Sequence, residues 1–321
     1  MKKRWIGNLE VSEIGMGCMG LSHGYGKVPE HDYSVEAIRK AYDYGCTFFD
    51  TAEVYGVQTL WLGHNEEIVG EAVESFRKDV ILATKISPST GLQGRDIYSV
   101  IRAHLEASMK RMRTDYMDLY YLHRLIRGVE VEAVAEAMGR LIREGLIRGW
   151  GLSAVGADTI DRAHKVTPVT AVQNIYSMLE RDCEIDVFPY CMEHNIGVVP
   201  FSPIASGFLS GKVTDNTEYE KIDDVRNWVP QMKKENVAAN QPILDVIRIF
   251  AEAKDATYAQ IALAWMLHKY PNCVPIPGSK NQERILENLG ACHVTLTEEE
   301  FRKLETALNA CTVYGHRGQL S

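Results

Sequence analysis

Eight short runs rich in β-branched and apolar residues recur along the chain. They lie at Glu13–Met19, Cys46–Asp50, Val80–Lys85, Met117–His123, Ile147–Ser153, Val169–Asn174, Ile196–Phe201 and Cys273–Ser279. Between them fall stretches whose apolar residues are three and four apart, the period of a helix with one buried face. Ser34–Tyr44 sets Ala37, Ile38, Ala41 and Tyr42 on one side and stops at Gly45, a residue suited to the left-handed turn after a helix. Glu66–Phe76 follows Asn65, read as its N-cap. Arg95–Met112 and Val131–Glu144 repeat the pattern. Strand and helix alternating in this way predict an α/β fold with parallel strands, closed into a (β/α)8 TIM barrel with long βα loops. An open doubly wound sheet with fewer strands is the alternative.

A helix over Thr257–Tyr270, halted by Pro271, precedes the last strand, and extra C-terminal helices over Gln282–Leu289 and Glu298–Ala310 follow it. Thr297 and Glu300 have capping-box spacing. No linker or low-complexity tract interrupts the pattern, so residues 1–321 read as a single domain. Residues 203–241 are irregular and polar, and are expected to form a long functional loop at the barrel mouth.

The stretch GMGCMG, residues 15–20, matches the G-x-G-x-x-G spacing of a Rossmann dinucleotide turn. That turn needs a helix opening directly on the glycines, where the pyrophosphate would sit. Here LSHGYGKVPEHD follows, with Gly24, Gly26 and Pro29, which describes a loop. The glycines are instead expected to bring the backbone close to a pocket floor.

A net charge of −8 argues against nucleic acid and anionic membrane surfaces as partners. No apolar run reaches membrane length, and the N-terminus lacks the apolar core of a signal peptide. The seven cysteines are scattered without CxxC pairs or zinc spacing, so no metal is expected, and reduced thiols in a cytoplasmic protein are.

In a barrel of this kind chemistry gathers where the strands finish. Strand two ends at Asp50, strand three at Lys85, strand four at His123, strand five at Ser153, and strand six near Gln173 and Asn174. Each alone has an ordinary structural role open to it, as a turn cap, a solvated cation or a half-buried imidazole. Three ionisable residues ending three successive strands on one rim make the functional reading stronger. Tyr55 lies five residues after Asp50 in DTAEVYG, close enough to fold back over the mouth near Lys85. An ammonium about 4 Å from a phenol favours its anion by up to ~4 kcal/mol at an effective dielectric of about 20. The sequence therefore predicts a tyrosine able to exchange protons near neutral pH.

Together DTAEVYG, NEEIVGEAV, ILATKI, DLYYLHR, GLS, VQNIYS, PFSPIASGFLSGK and IPGSKNQERILENLG resemble the aldo-keto reductase superfamily, in family order and across nearly the whole chain. The resemblance is to the larger microbial and plant members that reduce aldehydes and ketones. It implies a barrel that holds an extended NADP(H) across its rim without a Rossmann turn. It makes Asp50, Tyr55, Lys85 and His123 the catalytic set, with Tyr55 as general acid toward a small-molecule carbonyl substrate. Met19, Gly20, Asp50, Ser153, Gln173, Phe201, Ser202, Pro203, Ile204, Ser206, Gly207, Leu209, Ile276, Gly278, Ser279, Lys280, Arg284, Glu287 and Asn288 match cofactor positions. Ser153 and Gln173 would bond the carboxamide and Phe201 would stack on the nicotinamide. Lys280 and Arg284, two cations four residues apart, would meet a ribose 2′-phosphate and favour NADPH.

The substrate pocket is expected from His23, Tyr25, Trp61, Arg124, Trp228 and Tyr314. Two features depart from the family. Ala154 follows the serine of GLS where asparagine is common, and TLWLGH at 59–64 looks inserted. Two other functions remain open at this stage. Potassium-channel β subunits resemble this pattern and bind NADP(H) as regulatory subunits, and a Schiff-base lyase would use Lys85 as nucleophile.

Overall fold

The computed structural model describes residues 1–88, 92 and 94–318. An antiparallel hairpin comes first, β1 (Lys3–Ile6) and β2 (Leu9–Ser12), turning at Gly7 with φ +58°. Seven parallel strands then form one curled sheet whose neighbour order is the chain order: β3 (Met16–Gly17), β4 (Phe48–Asp50), β5 (Ile81–Ile86), β6 (Met117–Leu122), β7 (Ile147–Ser153), β8 (Ala171–Gln173) and β9 (Gly197–Val198). Seven of the eight expected runs hold these strands, with β5 reaching one residue further, to Ile86.

The remaining run, Cys273–Ser279, is not a regular strand, yet it is hydrogen-bonded toward both edges of the sheet. Val274 N donates to Val198 O at 2.8 Å and Ile276 N to Pro200 O at 3.1 Å. On the other side Gly15 N donates to Pro275 O at 3.0 Å and Gly17 N to Pro277 O at 3.2 Å. The residues that face β3 are prolines, which have no N–H to return, so that ladder is half-made.

Here the glycines of GMGCMG find their reason. A β-carbon on Gly17 would lie 2.7 Å from Ile276 O, and one on Gly15 would lie 2.6 Å from the Phe48 ring. They admit the 275–278 segment against β3, and only a single 3-10 turn, Met19–Leu21, follows them rather than an α-helix. The first helix, α1 (His31–Asp43), begins eleven residues after Gly20.

The hairpin was not foreseen. Ile6, Leu9 and Val11 are fully buried among Phe48, Leu119, Tyr121, Ala171, Val199 and Val274, side chains from inside the curled sheet. A β-carbon on Gly197 would lie 2.3 Å from Ile6, which sets the hairpin against the N-terminal ends of the strands. It floors that end while the C-terminal ends stay open. The Arg4 guanidinium fixes the hairpin by donating to the carbonyls of Leu267, Tyr270 and Cys273.

Helices flank the sheet: α2 (His64–Val73), α3 (Ile97–Arg111), α4 (Val131–Arg143), α5 (Ala157–Val166) and α6 (Val187–Glu193). The expected N-cap at Asn65 is displaced, since α2 starts at His64 after Gly63. Asn65 is instead fully buried, accepting from Thr51 Oγ1 at 2.6 Å and donating to Cys18 O at 2.9 Å. The 203–241 stretch carries structure of its own, three short 3-10 turns and α7 (Lys234–Ala239), and runs into α8 (Gln241–Lys254). The helices α9 (Tyr258–Lys269), α10 (Gln282–Leu289) and α11 (Glu298–Asn309) follow, and the Thr297–Glu300 capping box is formed. No helix among the described residues is long and apolar enough to cross a membrane.

Candidate active site

The three rim residues come together because parallel neighbours keep register. Asp50 pairs with Ala83 and Lys85 with Tyr121, so Lys85 and His123 each lie two residues past the partner of the rim residue before, and the even step keeps all three side chains on one face at the C-terminal rim. Lys85 is fully buried, and its ammonium donates to Asp50 Oδ1 at 2.5 Å, Thr51 O at 2.7 Å and the Tyr55 hydroxyl at 3.2 Å. Gln173 Nε2 donates to the other Asp50 oxygen at 2.8 Å. Tyr55 N bonds Ala52 O at 3.1 Å in the turn that folds the phenol back over the sheet. The His123 ring stands edge-on to Tyr55, with centroids 5.9 Å apart.

Burial governs the electrostatics. The Tyr55 hydroxyl is held above its ordinary range, because loss of solvent outweighs the Lys85 ammonium beside it. This corrects the expectation of a phenol titrating near neutral pH. Burial also drags on Lys85, but Asp50 and Tyr55 pull harder and keep it firmly protonated. His123 is depressed to about 2 by burial, with Lys85 and Arg124 adding to the effect, so its ring is neutral at any physiological pH.

These groups open onto a cavity of about 590 Å³ at the C-terminal ends of the strands. Asp50, Tyr55 and His123 line it, while Lys85 lies beneath and reaches it through Tyr55. Of the residues matched to cofactor positions, Met19, Gly20, Ser153, Gln173, Phe201, Ser202, Pro203, Ile204, Ser206, Gly207, Ile276, Gly278, Ser279, Lys280, Arg284, Glu287 and Asn288 all line the same cavity. Leu209 does not; it is fully buried in the core.

The loop after β9 is strained where it borders the cavity. Ser202, Ala205 and Ser206 have φ of +52°, +48° and +53°, a left-handed backbone that costs a non-glycine residue roughly 1–2 kcal/mol. Such strain at several positions of one loop marks a segment shaped for a ligand rather than for its own stability. Lys280 differs from expectation. Its ammonium is spent on the carbonyls of Tyr25 at 2.7 Å and Lys27 at 3.1 Å, tying two loops together. Arg284 has no carboxylate partner among the described residues and keeps its guanidinium for the cavity.

His23, Tyr25 and Arg124 line the cavity as expected. Trp61, Trp228 and Tyr314 do not. Trp61 is 52 % exposed, donates to Glu67 on the first turn of α2 and packs on His64, so it lies on the outer surface. Trp228 is 70 % exposed. Sequence reasoning missed Gln58, Arg226 and Arg317, which line the cavity from loops and from the tail. None lies in a periodic segment, and only the positive charge of two of them was visible.

A family model described as the aldo/keto reductase family matches residues 13–309. Probable aldo-keto reductase 1 of Glycine max is 36% identical over 316 residues, covering 96% of this chain and 88% of that protein. Among solved structures, the glycerol dehydrogenase of Gluconobacter oxydans superposes with a TM-score of 0.84 at 25% identity, over 99% of this chain and 98% of that one. An aldo/keto reductase of Klebsiella pneumoniae, solved in complex with NADP and acetate, superposes with a TM-score of 0.75 at 26% identity, over 100% and 99% of the two chains.

Proposed function

The chain belongs to the aldo/keto reductase family, and on that premise we propose that it reduces aldehydes and ketones to alcohols with NADPH, Tyr55 being the general acid. The fold completing this reading is a closed (β/α)8 barrel of one domain, with residues 272–278 joining the two sheet edges. The hydrogen bonds of that segment to both edges support it.

The observation that carries the chemistry is the buried chain of contacts Gln173–Asp50–Lys85–Tyr55, which ends on a phenol facing the cavity. Three features fit a dinucleotide. Gly20 lines the cavity beside the Ser279–Lys280 backbone, where a β-carbon would be a tight fit at 3.3 Å. The loop that carries the left-handed residues 202, 205 and 206 borders the cavity, and an irregular backbone of that kind can receive phosphate oxygens. Arg284 offers a free fork for a 2′-phosphate.

When bound, NADPH supplies the hydride that the carbonyl carbon receives. The protein's own part is to hold the carbonyl and deliver a proton. The neutral His123 ring and the Tyr55 hydroxyl both face the site where a carbonyl oxygen would lie, and each offers it a hydrogen bond. As charge builds on that oxygen, Tyr55 gives up its proton, and Lys85 stabilises the phenolate left behind. The raised pKa of Tyr55 suits this role. An acid must carry its proton before the reaction, and an alkoxide is a far stronger base than a phenolate. Ser153 and Gln173 orient the carboxamide, and Phe201 offers a ring face to the nicotinamide.

The test is Tyr55→Phe. Turnover of a substituted benzaldehyde, followed by loss of NADPH absorbance, should fall by about 10²–10⁴-fold, while NADPH binding by fluorescence is retained. Wild-type turnover in that variant overturns the assignment.

A further inference from the structure

After α11 the chain crosses the open end of the sheet as a strap of residues 311–318, which packs Cys311 and Val313 on the core and is held beyond them by buried polar side chains. Asn240, fully buried, receives Tyr314 N on its Oδ1 at 2.9 Å and gives its Nδ2 to Tyr314 O at 2.9 Å. Glu180, also buried, accepts Arg317 N at 2.7 Å and Gln231 Nε2 at 2.6 Å. Gly315 crosses at φ +78°, where a β-carbon would lie 2.6 Å from Asn236 Nδ2. Two buried side chains thus fix the backbone three residues before Arg317 and at Arg317 itself, whose guanidinium enters the cavity and donates to Ser202 Oγ at 3.0 Å.

Arg124 enters from the adjacent rim, after β6, and donates to Ser153 Oγ at 3.0 Å. Neither arginine meets a carboxylate among the described residues. By contrast, Arg226 in the same cavity is held by both oxygens of Asp224, and Lys212 by Glu287. Asp50 is occupied by Lys85 and Gln173. Burial lowers the pKa of both Arg124 and Arg317, and Arg317 lowers that of Arg124 further, while Tyr25 and Glu180 offset part of the effect on Arg317. Two like charges, Arg317 bonded to the Ser202 hydroxyl and Arg124 to the Ser153 hydroxyl and the His123 carbonyl, lack a salt-bridged carboxylate among the described residues. A guanidinium fork is matched best by a planar oxyanion.

We propose that Arg317, with Arg124, forms an anion subsite that selects carbonyl substrates carrying a carboxylate. This rests on the reductase reading for its chemistry but makes a separate claim about binding. The strap makes the selection part of the fold, since Asn240 and Glu180 set where Arg317 can reach. An NADPH phosphate is the other oxyanion within this cavity, and the test separates the two.

Steady-state kinetics compare 4-carboxybenzaldehyde with its neutral methyl ester in the wild type, Arg317→Gln and Arg317→Lys. Wild type should prefer the carboxylate. In Arg317→Gln, kcat/KM for the carboxylate should fall by about tenfold, chiefly through KM, with the ester and the NADPH dissociation constant unchanged; tenfold corresponds to about 1.4 kcal/mol. Arg317→Lys should recover part of the loss. Equal losses on acid and ester, or weakened NADPH binding in Arg317→Gln, overturn the proposal. Calorimetric binding of 4-(hydroxymethyl)benzoate and its methyl ester to the NADP-loaded protein tests the subsite independently of turnover. If neither aldehyde is reduced but the benzoate binds tightly and loses affinity in Arg317→Gln, the reductase reading fails and the subsite stands. Equal binding of benzoate and ester refutes the subsite whatever the turnover.

Discussion

The Tyr55 hydroxyl lies 3.2 Å from the Lys85 ammonium, yet burial keeps it above the ordinary range of a tyrosine. With Tyr55 as the proposed general acid, carbonyl reduction needs this phenol protonated. Because its pKa lies above the model tyrosine value of about 10, the proton is present throughout the neutral range. His123, at about 2, adds no ionisation there either. The kcat/KM for aldehyde reduction should therefore stay level from about pH 6 to 9 and fall only in alkali as Tyr55 deprotonates. Alcohol oxidation needs the phenolate, so its rate should climb over the same interval. Initial rates in both directions across a buffer series check this, and a bell centred near neutrality in the reductive direction contradicts it.

Lys85 and Asp50 bury opposite charges with almost no exposure, 0% and 3% for the side chains. Removing one partner strands the other without solvent. Lys85→Met should cost about 3–5 kcal/mol in urea unfolding, and Asp50→Asn a similar amount. The double variant should cost clearly less than their sum, because neither charge is then left alone. Additive losses would mean that the pair is not energetically coupled.

Arg284 and Lys280 were equivalent in the sequence, but the coordinates separate them. Lys280 spends its ammonium on Tyr25 O and Lys27 O, whereas Arg284 is free of ion pairs among the described residues. Arg284→Ala should weaken NADPH binding by about 10–100-fold, the value of one or two charge-assisted hydrogen bonds, and barely touch NADH. Lys280→Ala should weaken both cofactors alike by loosening the 25–27 loop. Fluorescence titration with each nucleotide distinguishes these outcomes.

Gly17 fits against Ile276 O with no space for a methyl group. The obstacle is backbone, which cannot rotate away. Gly17→Ala should destabilise the protein by about 1–3 kcal/mol, and calorimetric unfolding measures it.

How much of this could be read beforehand depends on where each residue sits. Asp50, Lys85 and His123 were legible because each ends an apolar run, and a parallel sheet brings such ends to the same rim. Helix faces were legible from their period. The β1–β2 hairpin was missed although Gly7-Asn8 between Ile6 and Leu9 is a hairpin turn signal. The α5 and α6 helices were missed for lack of a long apolar stripe, and α8 was missed despite Ile243, Leu244, Ile247 and Ala251 on one buried face. Trp61 was placed in the pocket on chemistry alone; its direction depends on a bond to Glu67 that no pattern encodes. Arg317 owes its position to Asn240 and Glu180, 77 and 137 residues away, and contacts at that range leave no local trace. The sign of the Tyr55 shift was misjudged because the ammonium is visible in the sequence and the loss of solvent is not.

The Arg4 bonds to Leu267, Tyr270 and Cys273 also bear on the birth of the molecule. The β1–β2 hairpin cannot take its final place until the chain as far as Cys273 has been made. Through most of synthesis Ile6, Leu9 and Val11 must wait without their partners on the later strands. Contacts of such long range make for slow maturation, and that exposed N-terminal apolar segment is where a chaperone would find its hold during translation.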